Sequence, residues 1–270
     1  MKLIKLFGLF ILICLTFIYT DKVIDVAISQ DPIMIKIKDY AKIANISPIN
    51  ASIYENTIIP GSVGKYIDED VSYKAMKKIG YYEPTLLSYK SIYPEISIYN
   101  SYNKYIIKGN TKYNNISLIY IIKNNNTIDN IISTIKKYNV PINFFIDANF
   151  LNNNIAIIDK LKDNEIYNYG NNGIYTKDNL IIANNIINNK ANNNSIYCLF
   201  TKKDNPTMEI CSNSKMLSLY VKTNNYYNIK SSLENGSLIL IDNTQELNNI
   251  IEYIISKGYN LVPLSKNIVE

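Results

Sequence analysis

Two aspartates stand where a catalytic carboxylate could work: Asp147 closes the apolar run INFFID, and Asp242 closes LILID. Both runs read as short buried strands, and acids at the ends of such strands can share a cleft. A pair of carboxylates can run glycosidase chemistry or hold a hard cation, although acids at strand ends are more often solvated or paired with lysine. Glu165 begins its apolar run instead of ending it, so it is expected at the opposite rim. No histidine occurs among the 270 residues, and the basic complement is entirely lysine. Imidazole is therefore missing as acid, base or metal ligand. Of 3 cysteines, Cys14 lies in an apolar N-terminal run, which leaves Cys198 and Cys211 as the pair able to bridge. Two buried thiols are the expected state and a disulfide the alternative.

Residues of this kind need a frame to hold them. Ile116 to Asp147 reads as one βαβ unit. Ile116 to Ile122 and Ile142 to Ile146 are continuous apolar runs rich in β-branched residues, as strands covered on both faces require. Between them Ile128, Ile131, Ile132 and Ile135 recur at helical spacing, with Thr127 as N-cap, Lys136 and Lys137 in the last turn, and Val140-Pro141 as the break. A right-handed crossover and a parallel sheet follow. Further strand candidates lie at 165–168, 196–200, 216–221, 237–242 and 260–263, with helical patterns between. The clearest of these patterns is Gln245 to Lys257, which places Leu247, Ile250, Ile251, Ile254 and Ile255 on one face before Gly258. Such alternation predicts a compact (β/α) barrel or a doubly wound sheet over 116–270.

Residues 21–115 read as a small α+β region. Val23 to Ile28 is a strand candidate, Asp31-Pro32 opens a helix through Ile43, and Ala51 to Ile59 is a strand running into the Pro60-Gly61 turn. Asp70 then caps a short helix that Gly80 ends. At the N-terminus Lys2 and Lys5 precede the apolar run Leu6 to Tyr19, with no small-x-small site before Asp21. An uncleaved signal anchor over 1–20 is expected, hence a single pass of the cytoplasmic membrane with the rest outside it, or secretion if the segment is cleaved.

Asparagine clusters such as NNNT at Asn124 to Thr127 and ANNNS at Ala191 to Ser195 read as polar loops. The formal charge of +5 comes from lysines scattered along the chain, not gathered on a stripe, which gives no support to nucleic-acid binding.

Two blocks, KKYNVPINFFID and ENGSLILIDNTQELNNIIEYIISKGYNLVPLSKNI, resemble the polysaccharide deacetylases with the NodB-homology domain over roughly Ile116 to Ile268. The resemblance implies a distorted seven-stranded (β/α) barrel. It also implies a divalent metal held by an aspartate and two histidines, with a second aspartate as base and a further histidine as acid. This sequence departs from that pattern at each of these positions. The T-F-D-D-G motif falls on Ile119-Tyr120-Ile121-Ile122-Lys123, so Ile121 and Ile122 stand for both aspartates. The H-x-x-x-H pair falls near Tyr169 and Gly173, the R-P-P-Y block on the segment around Cys198, and the late histidine at or beside Asp242. Neither metal nor cofactor is expected. With the resemblance as guide, Asp147, Tyr169, Tyr197, Tyr220 and Asp242 become candidates for lining a ligand groove, the tyrosines as platforms for sugar rings. The expected function is an inactive deacetylase-like protein that binds cell-envelope polysaccharide, peptidoglycan or a partner protein; an active enzyme with a rebuilt, histidine-free site is the alternative.

Overall fold

The computed structural model describes residues 16, 19–20, 22–191, 195–223 and 225–270. No helix among them is long and apolar enough to cross a membrane. The run Leu6 to Tyr19 lies almost wholly outside the described residues, as do Cys14 and residues 192–194 of the second asparagine cluster. The expected single-pass anchor, and the placement beyond the membrane built on it, are withdrawn on this ground.

Contacts divide the chain into two units, Met1–Pro48 with Val63–Ile92, and Ile49–Ser62 with Tyr93–Glu270. In the first unit residues 22–29 are helical instead of extended. Helix α1 (Pro32–Ala44) begins where Asp31 accepts a hydrogen bond from the Ile33 N–H. The antiparallel pair β3 (Gly64–Ile67) and β4 (Tyr89–Ile92) flanks α2 (Glu69–Ile79), whose cap is Asp68, not Asp70. Ile33, Ile37, Ala41, Ile67 and Met76 form its core. Asp31 also accepts hydrogen bonds from Tyr73 Oη and Lys77 Nζ, and the Lys77 contact leads the effects that hold its carboxyl below the ordinary value.

In the second unit the expected strand at Ala51 to Ile59 is a hairpin, β1 (Ser52–Tyr54) and β2 (Thr57–Ile59), turned at Glu55 with φ 52°. Strand β5 (Tyr105–Ile106) follows. The βα series then runs β6 (Asn115–Ile122), α3 (Ile128–Tyr138), β7 (Asn143–Ile146), α4 (Ala148–Asn153), α5 (Ile157–Leu161), β8 (Glu165–Asn168), α6 (Lys177–Ala191), β9 (Tyr197–Phe200) and α7 (Asn205–Asn213). It closes with β10 (Leu217–Tyr220), α8 (Tyr226–Ser232), β11 (Leu238–Leu240), α9 (Leu247–Ser256), β12 (Asn260–Leu261) and α10 (Leu264–Asn267).

Pairing joins these strands into two sheets, β11-β6-β7-β8 with β12 also on β6, and β1-β2-β5-β10-β9. All pairs except β1–β2 are parallel. The expected single seven-stranded ring is not closed by ladders among the described residues. Between β8 and β9 the Asn168 N–H donates to Ser195 Oγ at 3.4 Å, and Thr223, just after β10, forms an isolated parallel bridge with Leu240 of β11. The second sheet gains β1, β2 and β5 from the N-terminal side of residue 116.

Strand alternation sorts the apolar residues into two layers. Ile116, Leu118 and Ile122 of β6 pack with Ile131, Ile135, Ile251 and Ile254 of the helices, whereas Ile119 packs with Phe145, Tyr167, Leu199 and Leu219 between the sheets. Cys198 and Cys211 are bonded as a disulfide joining β9 to α7, so the thiol expectation is corrected. Cys198 points outward on β9, away from the intersheet layer, beside Met216 and Phe200.

The N-terminal strand ends are tied to the last segment of the chain. Ser117 Oγ donates to the Val262 carbonyl at 2.8 Å. Buried Asn143 donates through Nδ2 to the Leu118 carbonyl at 2.7 Å and accepts from the Leu264 N–H at 2.9 Å. Glu165 Oε2 accepts from Tyr167 Oη and from the Ser265 N–H, at the far rim as its place in the strand implies. Gly236, at φ +80°, brings its backbone so near Gly109 that a Cβ would lie 2.6 Å from the Gly109 carbonyl oxygen.

Candidate functional site

The C-terminal strand ends carry an open cleft of about 540 Å³. Its lining comes from residues at or just beyond four strands: Tyr120, Ile121, Lys123 and Asn124 from β6, Tyr169 after β8, Thr201 and Lys202 after β9, and Leu240, Ile241 and Asp242 at β11. Thr223, after β10, completes it. Such a place is where parallel α/β folds keep their sites, because the loops that leave the strands there can vary without disturbing the ladder.

Tyr169 and Asp242 are the two groove candidates that line this cleft. Tyr169 is 4% exposed, with Lys123 Nζ 5.6 Å from its ring centre. Burial raises its phenol above the ordinary value, and a hydrogen bond to Thr201 acts the other way. Asp242 is exposed and makes no hydrogen bond or ion pair among the described residues.

Asp147 serves a different purpose. It is 6% exposed; Oδ1 accepts from the Asn149 and Phe150 N–H groups, and Oδ2 from the Asn172 N–H at 2.7 Å. The carboxylate caps α4 and fastens the loop after β8, and it is not among the residues lining the cleft with Asp242. Tyr197 is buried in the intersheet layer, edge-on to Tyr167 at 5.1 Å, and its burial pushes the phenol well above its usual range. Tyr220 is half-buried against Tyr105 at 5.9 Å, with Lys203 over its ring.

Adjacent strand residues face opposite ways, so Ile121 lines the cleft while Ile122 is fully buried on the helix side. Gly173 sits in the loop after β8 at φ +85°, where a Cβ would come 3.0 Å from Tyr169 Oη. Lys123, Lys202, Thr201 and Thr223 are lining residues that strand-end reasoning from the acids alone missed. Their signal was present in the sequence, since Lys123 and Thr201-Lys202 directly follow the apolar runs of β6 and β9.

A divalent metal of the kind the deacetylase resemblance implies does not fit this lining. Zinc asks for several imidazole, thiolate or carboxylate donors. Here one carboxylate, Asp242, faces two ammonium groups, Lys123 and Lys202, and no cluster of three metal-binding side chains exists among the described residues.

The fold is similar to that of solved family 4 carbohydrate esterases, the class to which the sequence resemblance points. No protein family model matches the chain. The wild-type protein BA3943 of Bacillus anthracis, described as a family 4 pseudoenzyme, superposes with a TM-score of 0.63 at 19% identity, over 88% of this chain and 95% of its own. A mutant of BA3943 described as having restored enzymatic activity gives 0.64 at 19% identity, over 88% and 98%. The Bc1960 peptidoglycan N-acetylglucosamine deacetylase gives 0.54 at 15% identity, over 61% and 92%. In sequence the chain is 28% identical over 153 residues to the uncharacterised protein YlxY of Bacillus subtilis, a match to 55% of this chain and 48% of that protein. It thus spans about half the length of that curated relative.

Proposed function

We propose that this protein is a catalytically silent deacetylase-like protein that binds an N-acetylated glycan in the cleft at the C-terminal strand ends. The observation that carries the reading is the lining itself. Ile121 stands where the deacetylase first-strand motif carries a carboxylate, the same lining holds two lysines and no histidine, and Tyr120 and Asp242 remain as contacts for a sugar. Catalytic acid and base groups contribute about 10²- to 10⁴-fold each. Their joint absence, in a chain with no histidine, takes hydrolysis below detection. The half-buried Tyr120 ring offers an apolar contact for a sugar, and the Asp242 carboxylate can accept from a hydroxyl or an acetamido N–H. Likeness to BA3943, described as a pseudoenzyme, and to a peptidoglycan deacetylase supports the same reading.

The purified chain, with and without added zinc, should release no acetate from chitooligosaccharides or peptidoglycan, yet bind the oligosaccharides in calorimetric titration. Zinc-dependent acetate release would remove the claim of silence. Absence of any glycan binding would remove the claim of a binding protein.

A further inference from the structure

The charge of the cleft narrows its ligand further. Lys123 and Lys202 are both exposed and line the same cleft, one after β6 and the other after β9. Neither has an ion-pair partner among the described residues, although the molecule pairs other lysines, Lys42, Lys77, Lys108 and Lys160, with nearby acids. The lining carries two positive groups against one negative, Asp242, and no other carboxylate. A site built to hold a divalent cation would have the opposite balance.

Resting on the glycan reading above, we infer that the cleft selects a glycan carrying an anionic substituent, a carboxylate or a phosphate, next to its acetamido sugar. Lys123 and Lys202 hold the anion, while Asp242 accepts from the neighbouring hydroxyl or acetamido N–H, and Lys123 Nζ lies 5.6 Å from the Tyr169 ring centre. Two ammonium groups across an open, water-filled cleft bind a small anion with modest strength. Their effect is preference between otherwise similar sugars, not tight binding.

The test is calorimetric titration of the purified chain with three probes: neutral chitotetraose, a tetrasaccharide of the same length bearing lactyl carboxylates, and a glycan with phosphodiester groups. At low salt at least one anionic probe should bind about tenfold tighter than chitotetraose, the gain two weak ion pairs supply together. The preferred anionic probe identifies the source of the anion. The preference should shrink at high salt and fall to near unity in the Lys123→Gln/Lys202→Gln double variant, two exposed substitutions whose folding is checked by thermal melting. Equal affinity for neutral and anionic probes overturns the inference and leaves the glycan reading standing, as does a preference that survives in the double variant. Failure of all three probes to bind overturns both.

Discussion

At the N-terminal strand ends Ser117, Asn143 and Glu165 each bond to the segment at Val262, Leu264 and Ser265, whereas at the C-terminal ends Lys123, Lys202 and Asp242 have no ion-pair partner among the described residues. The same strands thus end in a stitched rim and in an open one. A buried polar group left without a partner costs roughly 1–3 kcal/mol, so the stitched groups are bound to stability. The open groups lose little by staying in water and can spend their interactions on a ligand. Asp147 is the exception that makes the contrast instructive: it sits at the open rim but is used as the groups of the closed rim are, with three backbone donors on its two oxygens.

The contrast yields graded expectations for urea unfolding. Asn143→Leu keeps the branched shape of the side chain but strands the Leu118 carbonyl and the Leu264 N–H, so a loss of about 3 kcal/mol is expected; a loss under 1 kcal/mol would mean the rim is not held there. Asp147→Ala removes a helix cap and the Asn172 anchor, for a loss of about 2 kcal/mol, with Asp147→Asn keeping part of it through the remaining acceptor. Lys123→Gln, Lys202→Gln and Asp242→Asn should each stay within about 0.5 kcal/mol of the parent. A large loss at Asp242 would erase the difference between the two aspartates.

In sequence those aspartates look alike, each closing an apolar run. What separates them lies just downstream. Asp147 is followed at once by the helical segment ANFLNN, so it takes the cap position, whereas after Asp242 the capping is done by Asn243, which accepts from the Gln245 N–H at 3.0 Å. That signal was legible and local. The strands from β6 to β12 were legible for a similar reason, since each is an apolar run between breaks, and Gly258 ends α9 at φ 78° where the pattern places it. Thr127 takes the cap position of α3 but makes no cap bond; its hydroxyl meets Tyr120 Oη instead. Pairings between distant segments were not legible: nothing in Tyr105-Ile106 announces that it lies between β2 and β10. The bridge of Cys198 to Cys211 likewise depends on how β9 and α7 are set, which spacing alone does not fix.

Strand β6 has neighbours from very different times in the life of the chain. Its β7 flank is available as soon as Ile146 has been made, but its β11 flank needs Leu238 opposite Ser117, and its first residues need Asn260 opposite Asn115. During synthesis the apolar strand Asn115–Ile122 therefore keeps one unpaired edge until Leu238 and the residues after it have emerged. Closing that edge joins residues far apart in sequence, which is the slow class of folding step, and the interval before it is when the nascent chain is most exposed to pairing with the wrong partner.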